Sequence, residues 1–113
     1  MAKKEKTMTP KPDALAALKT RLLACFPDDV DRVILYGSRA AGTADSHSDY
    51  DILVVLKRHY DWRLKNRIYD ETWEVDRDHD ILTDIRLISR DELDTIKGFQ
   101  PFVRDALEKG IEL

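Results

Sequence analysis

The first clear periodicity in the chain begins at Asp13. Apolar residues at Leu15, Leu18, Leu22, Cys25 and Phe26 recur at helical spacing and predict one buried face, which Pro27, Asp28 and Asp29 bring to an end. Residues 33–36 and 52–56 are short continuous apolar runs, as buried strands are. The stretch between them, residues 37–48, is small and polar and reads as a loop, with room for a short helix over residues 38–44. Helical spacing returns over residues 59–76, where Leu64, Ile68 and Val75 share one face. Trp62, Tyr69 and Trp73 form a second stripe, read as a widening of the core. Were it exposed, it would be a docking face, because aromatic residues are enriched at interfaces. Residues 81–88 alternate, with Ile81, Ile85 and Leu87 on one face and Asp84 and Arg86 on the other. Ser89 and Glu92 have the spacing of a capping box. Pro101 suits the first turn of a last helix that Gly110 ends.

The predicted order is helix, strand, loop, strand, helix, strand, helix, helix. It implies an α/β (α+β) fold in which a small sheet is flanked by helices, with part of the sheet open to solvent at the polar face of the third strand. One domain is expected over residues 13–113, preceded by a mobile tail over residues 1–12.

Composition narrows the function classes. The chain has 113 residues, the length of one domain, and its net charge of −3 provides no basic field for a nucleic-acid backbone. The single cysteine, Cys25, cannot form an internal disulfide, and no Cys/His cluster suggests zinc. No apolar run approaches the ~20 residues of a membrane span, and MAKKEKTMTPKP lacks the apolar core of a signal peptide. The expected compartment is the cytoplasm.

Carboxylates two residues apart are common enough here to need sorting. Six such pairs occur, at 29/31, 49/51, 74/76, 76/78, 78/80 and 92/94, so spacing alone identifies nothing. The run Asp76, Asp78, Asp80 has the opening spacing of an EF-hand. That loop needs Gly at its sixth position and Glu at its twelfth, where this chain has Ile81 and Leu87. The run is read as a solvated turn. Asp49 and Asp51 differ because they open a predicted strand, where residues i and i+2 face the same way with Cα atoms ~6.7 Å apart, at ~3.3 Å per residue. Two carboxylates so placed are either fully hydrated or share a cation. An incomplete set of oxygen ligands suits Mg²⁺, which is commonly completed by water and substrate phosphates.

Gly37 and Ser38 close the preceding strand at the other end of the same loop. Glycine lets a ligand approach the backbone, exposed N–H groups favour an anion, Ser38 adds a hydroxyl donor and Arg39 a positive charge. The loop therefore has parts that could bind a triphosphate. Gly-Ser by itself is more simply a plain turn between strands.

Taken together, Gly37-Ser38, ten intervening residues and Asp49-Tyr50-Asp51 resemble the signature of the DNA polymerase beta-like nucleotidyltransferase superfamily. The wording GSRAAGTADSHSDYD is similar to that of the minimal nucleotidyltransferases (MNT), small prokaryotic proteins usually encoded beside a HEPN-domain partner as a toxin–antitoxin pair. The likeness runs from about residue 30 to the C-terminus, and FVRDALEKGIEL resembles the usual ending. It implies the polymerase beta-like fold, a mixed sheet flanked by helices. It also implies transfer of a nucleoside monophosphate from a nucleoside triphosphate, with ATP as donor and two Mg²⁺ ions.

Carried over residue by residue, the resemblance assigns Gly37 and Ser38, with Arg39 beside them, to the triphosphate, and Asp49 and Asp51 to the metals. A third carboxylate is expected on a later strand. Asp84, in ILTDIRLIS, is the candidate for the metal and for accepting the hydroxyl proton. An exposed strand Asp paired with a neighbour is the plain alternative. The acceptor would be a hydroxyl of a HEPN toxin, a tyrosine in such pairs. Neither a membrane nor a nucleic acid is an expected partner.

The other reading is a non-catalytic antitoxin of the same fold that inhibits by docking, and weaker still is a regulatory NTP-binding module. His47 lies near enough to touch phosphate, although a solvated loop histidine is the simpler reading.

Overall fold

β1 (Val30–Tyr36) and β2 (Tyr50–Leu56) run antiparallel down the middle of a four-stranded mixed sheet of order β3-β2-β1-β4. The computed structural model describes residues 12–45 and 48–113. The expected tail and His47 lie outside the described residues, Pro12 excepted, which opens the first helix. β3 (Thr83–Ser89) pairs parallel with β2 and forms one edge; β4 (Ile111–Glu112) pairs antiparallel with β1 and forms the other. Parallel pairing of β2 and β3 needs a crossover, supplied by α3 (Trp62–His79).

Alternation along each strand divides the core between two faces. Val33, Leu35, Ile52, Val54, Leu56 and Ile85 pack with Leu18 and Leu22 of α1 (Pro12–Cys25) and with Ile68 and Val75 of α3. Ile34, Leu53, Val55 and Ile88 pack with Val103 and Ala106 of α4 (Pro101–Lys109) on the opposite face. Because both central strands are covered on both sides, they read as continuous apolar runs. β1 is longer than its apolar run, because Val30 at its start is paired with Leu56. The short helix in the loop is present as α2 (Gly37–Ala41), ended by Gly42 at φ 79°.

Punctuation is well predicted by sequence. The Glu92 carboxylate accepts the Ser89 N–H at 3.0 Å, at the start of a 3₁₀ turn over Arg90–Asp94, and a second such turn covers Ile96–Phe99. Pro101 opens α4 and Gly110 caps it.

Three expectations are corrected. Cys25 is exposed, since it is the last residue of α1, with its thiol 3.6 Å from Glu71 instead of within the core. Trp62 and Trp73 of the second stripe are 64% and 57% exposed, because the core between α3 and the sheet is already filled by Ile68 and Val75. The acidic run is not wholly a solvated turn. Asp76 is buried at the C-terminal end of α3, where its carboxylate accepts the Thr83 N–H (3.1 Å) and hydroxyl (2.9 Å). Among the described residues, no helix is long and apolar enough to cross a membrane.

Candidate active site

β1 ends where β2 and β3 begin, and the predicted residues collect at this end of the sheet. Asp51 stands in register with Tyr36 of β1 on one side and with Asp84 of β3 on the other. Adjacent strands lie ~4.8 Å apart, so the two aspartates are direct neighbours. They project on the face covered by α4, as the strand alternation requires, since Ile52 and Ile85 pack on the other face. Asp49 lies just before β2 and is exposed.

Gly37 adjoins this pair directly. It has φ 73°, a conformation that side chains disfavour, and a Cβ there would overlap Oδ2 of Asp51 and lie 3.2 Å from its Cγ. The glycine thus serves a turn and leaves space for a carboxylate. Its α2 begins without a side-chain cap from Tyr36, leaving the first backbone N–H groups available at the end of the sheet.

Electrostatics at Asp51 are those of a crowded anionic centre. Burial pushes its carboxyl above the ordinary range, and the charges of Asp84, Asp49 and Asp105 push it further, against the opposing pull of Arg86. Burial and the charge of Asp51 likewise raise the Tyr36 phenol to about 12, so Tyr36 remains a neutral hydrogen-bonding group at physiological pH.

Arg39 occupies a different position from the one its charge suggested. It is 7% exposed, its guanidinium donates to the Ser48 carbonyl from Nε (3.2 Å) and Nη2 (2.9 Å), and it stacks 4.3 Å from the Tyr50 ring. Tyr50 belongs to the face opposite Asp51. Arg39 therefore ties the loop to β2, and its Nη1 has no hydrogen-bond partner among the described residues.

Two residues of the site were not singled out from sequence. Arg86, on the same face of β3 as Asp84, lies 3.8 Å from the Asp84 carboxylate and 4.8 Å from the centre of the Phe102 ring. The alternation of β3 already placed it beside Asp84, so the signal was present. Asp105 acts on Asp51 from α4, a relationship that no local pattern carries.

Residues 15–113 match the nucleotidyltransferase domain family. The chain belongs to that family. This nucleotidyltransferase is 31% identical over 70 residues to a Methanocaldococcus jannaschii protein provisionally named a protein adenylyltransferase, the match covering 62% of this chain and 71% of that protein. Among solved structures, it resembles one provisionally described as a nucleotidyltransferase from Sulfolobus solfataricus, with a TM-score of 0.55, 23% identity, and coverage of 96% of this chain and 87% of that one. It also resembles a chain of a mutant MntA–HpeT toxin–antitoxin structure, with a TM-score of 0.58, 20% identity, and coverage of 93% and 72%. Both structural likenesses bear out the expected nucleotidyltransferase fold.

The donor set fits a hard divalent cation. Neighbouring carboxylates supply only oxygen, and their mutual repulsion would be relieved by a positive ion. Among the described residues no three potential ligands form a ready-made metal group. Such a centre would have to be completed by substrate oxygens.

Proposed function

We propose that this nucleotidyltransferase uses Mg²⁺ to transfer AMP from ATP to a hydroxyl on a protein partner, a tyrosine of a HEPN toxin, and thereby acts as its antitoxin. The observation that carries this reading is the register of Asp51 with Asp84, with the Asp51 carboxylate packed against Gly37 at the turn after β1. Family membership, a relative named for protein adenylylation and a fold shared with a toxin–antitoxin protein support it.

In this reading Gly37 and Ser38 bind the triphosphate, through backbone N–H groups and the Ser38 hydroxyl. Asp49, Asp51 and Asp84 would hold the Mg²⁺ ions, which would supply charge stabilisation to the transfer. The acceptor oxygen bonds to the α-phosphorus as the bond to the pyrophosphate oxygen breaks, and the hydroxyl proton passes to Asp84 directly or through water. Arg86 sits beside Asp84, where a fixed positive charge limits the build-up of negative charge. Arg39 acts at a distance by holding the loop that carries Asp49.

The docking alternative has one observation in its favour, the exposed aromatic stripe of Trp62, Tyr69 and Trp73. A transfer assay separates the two readings. The protein, Mg²⁺ and α-labelled ATP are incubated with the product of the neighbouring gene, using wild type, the Asp49→Ala/Asp51→Ala double variant and Asp84→Asn. Label on the partner that both variants abolish supports transfer. Absence of label, with the partner still bound and inhibited by both variants, establishes docking instead.

A further inference from the structure

A hollow of about 300 Å³ runs along the outer edge of β3, lined by Tyr60, Lys65 and Tyr69 from the α3 side, by Asp84 and Arg86, and by Phe102 of α4. We propose that this hollow is the acceptor site, and that it takes an aromatic hydroxyl side chain flanked by carboxylates on a partner protein. The proposal rests on the nucleotidyl-transfer reading and adds the position of the second substrate and its chemical character.

The order of residues across the sheet leads to it. Gly37 and Ser38 stand at the end of β1, Asp51 on β2, Asp84 on β3 and the hollow beyond Asp84. In-line displacement requires the attacking oxygen opposite the leaving pyrophosphate. With the triphosphate tail at Gly37 and Ser38, the acceptor must approach over Asp84, from the β3 side. The hollow opens there, with Asp84 in its wall.

Its lining defines the occupant. Tyr60, Tyr69 and Phe102 contribute aromatic rings to the lining, which suit an aromatic side chain. Lys65 is exposed, lies 5.7 Å from the Tyr69 ring and has no ion-pair partner among the described residues. Arg86 lies 4.8 Å from the Phe102 ring centre. Arg86 is paired with Asp84 in the same wall at 3.8 Å, so Lys65 is the cation of this lining left to complement an acidic segment. One such cation is not the basic track that a nucleic acid would need.

Tyr69 donates its hydroxyl to the Ile85 carbonyl (3.3 Å), Tyr60 to the Leu87 carbonyl (3.4 Å), and the Thr83 N–H donates to Asp76 (3.1 Å). These bonds take up three of the outward backbone groups with which a pairing strand would bond. A single side chain can still enter.

The test is fluorescence anisotropy with a labelled Glu-Glu-Tyr-Glu-Glu peptide, a Lys-Lys-Tyr-Lys-Lys peptide and a short oligo(A) RNA, alongside calorimetry of Mg–ATP binding. The acidic peptide is expected to bind saturably and about tenfold or more tighter than the basic one, a difference of ~1.4 kcal/mol. Lys65→Glu is expected to weaken it at least as much, while Mg–ATP affinity stays within about twofold. Lys65→Gln, intermediate in charge, is expected to fall between, and circular dichroism confirms that both variants fold. No saturable peptide binding, equal binding of the basic peptide, tighter binding of RNA, or indifference to Lys65→Glu overturns the proposal. If any of these occurs with Mg–ATP binding intact, the acceptor site fails and the transfer reading stands. Absence of Mg–ATP binding by wild type overturns both.

Discussion

Gly37 and Asp51 are matched to each other: a side chain on the first would occupy the space of the second's carboxylate. The backbone at Gly37, at φ 73°, would strain any other residue as well. Gly37→Ala is therefore expected to cost about 1–3 kcal/mol in urea unfolding. In an Asp51→Ala background the overlap is removed and only the backbone strain remains, so the same substitution should cost less. A double-mutant cycle measures this coupling, and additive losses would refute the relationship.

Arg39 tests whether the loop is held or the phosphate is. Arg39→Ala leaves the Ser48 carbonyl without its two donors and the Tyr50 ring without its stacking partner. A stability loss of about 1–3 kcal/mol is expected. Arg39→Lys keeps the charge but not the two-pronged geometry, and should recover little of that loss in a thermal melt. Full recovery by lysine would argue that charge toward a ligand is what matters.

Asp76 ties the end of α3 to the start of β3. Burial raises its carboxyl above the ordinary range, the Thr83 hydrogen bonds counter this, and the charge of Asp49 adds to the rise. A raised folded-state value means that the native state retains protons the unfolded state has lost. Stability from this residue is thus greatest in acid and falls as pH rises through the raised value. Asp76→Asn removes that dependence, so its stability relative to wild type should increase from about pH 4 toward neutrality. Asp76→Ala should be destabilising by about 1–3 kcal/mol, since the half-buried Thr83 N–H loses its acceptor. Parallel pH profiles for Asn and wild type would refute the account.

Trp62 and Trp73 are expected to contribute to binding and little to folding. Each is more than half exposed, so Trp62→Ala and Trp73→Ala should change unfolding free energy by no more than about 0.5 kcal/mol. If the stripe docks the partner, one of them should weaken the complex by about 2 kcal/mol or more, read by calorimetry. A stripe that matters for neither would remove the observation favouring a docked partner on this face.

Much of this protein is written locally. The buried strands at residues 33–36 and 52–56, the helix after Asp13, the Ser89–Glu92 cap and the helix between Pro101 and Gly110 each depend on neighbours a few residues away. The same holds for the side-by-side order of Gly37-Ser38 and Asp49-Tyr50-Asp51, because one loop joins them and strand alternation orients them. Asp84 was reached through the family resemblance, with the alternation of its own strand placing it on the polar face. Its placement next to Asp51 was not, since parallel register is set by the α3 crossover and the packing beneath it.

What only the tertiary structure decided follows from the same distinction. Charge and periodicity describe what a side chain carries, while burial and partner depend on what the fold brings opposite it. Arg39 has the charge for phosphate, yet Ser48 and Tyr50 take it. The Trp62, Tyr69 and Trp73 stripe has helical spacing, yet Ile68 and Val75 already fill the face that packs on the sheet. Asp76 has the composition of a solvated turn, yet β3 begins against it. β4 is two residues long, too short for any pattern, and exists because Leu35 and Ile34 of β1 have an unpaired edge to offer. Asp105 joins the site because α4 crosses the sheet above Asp51, a juxtaposition made by packing and by nothing nearer in the chain.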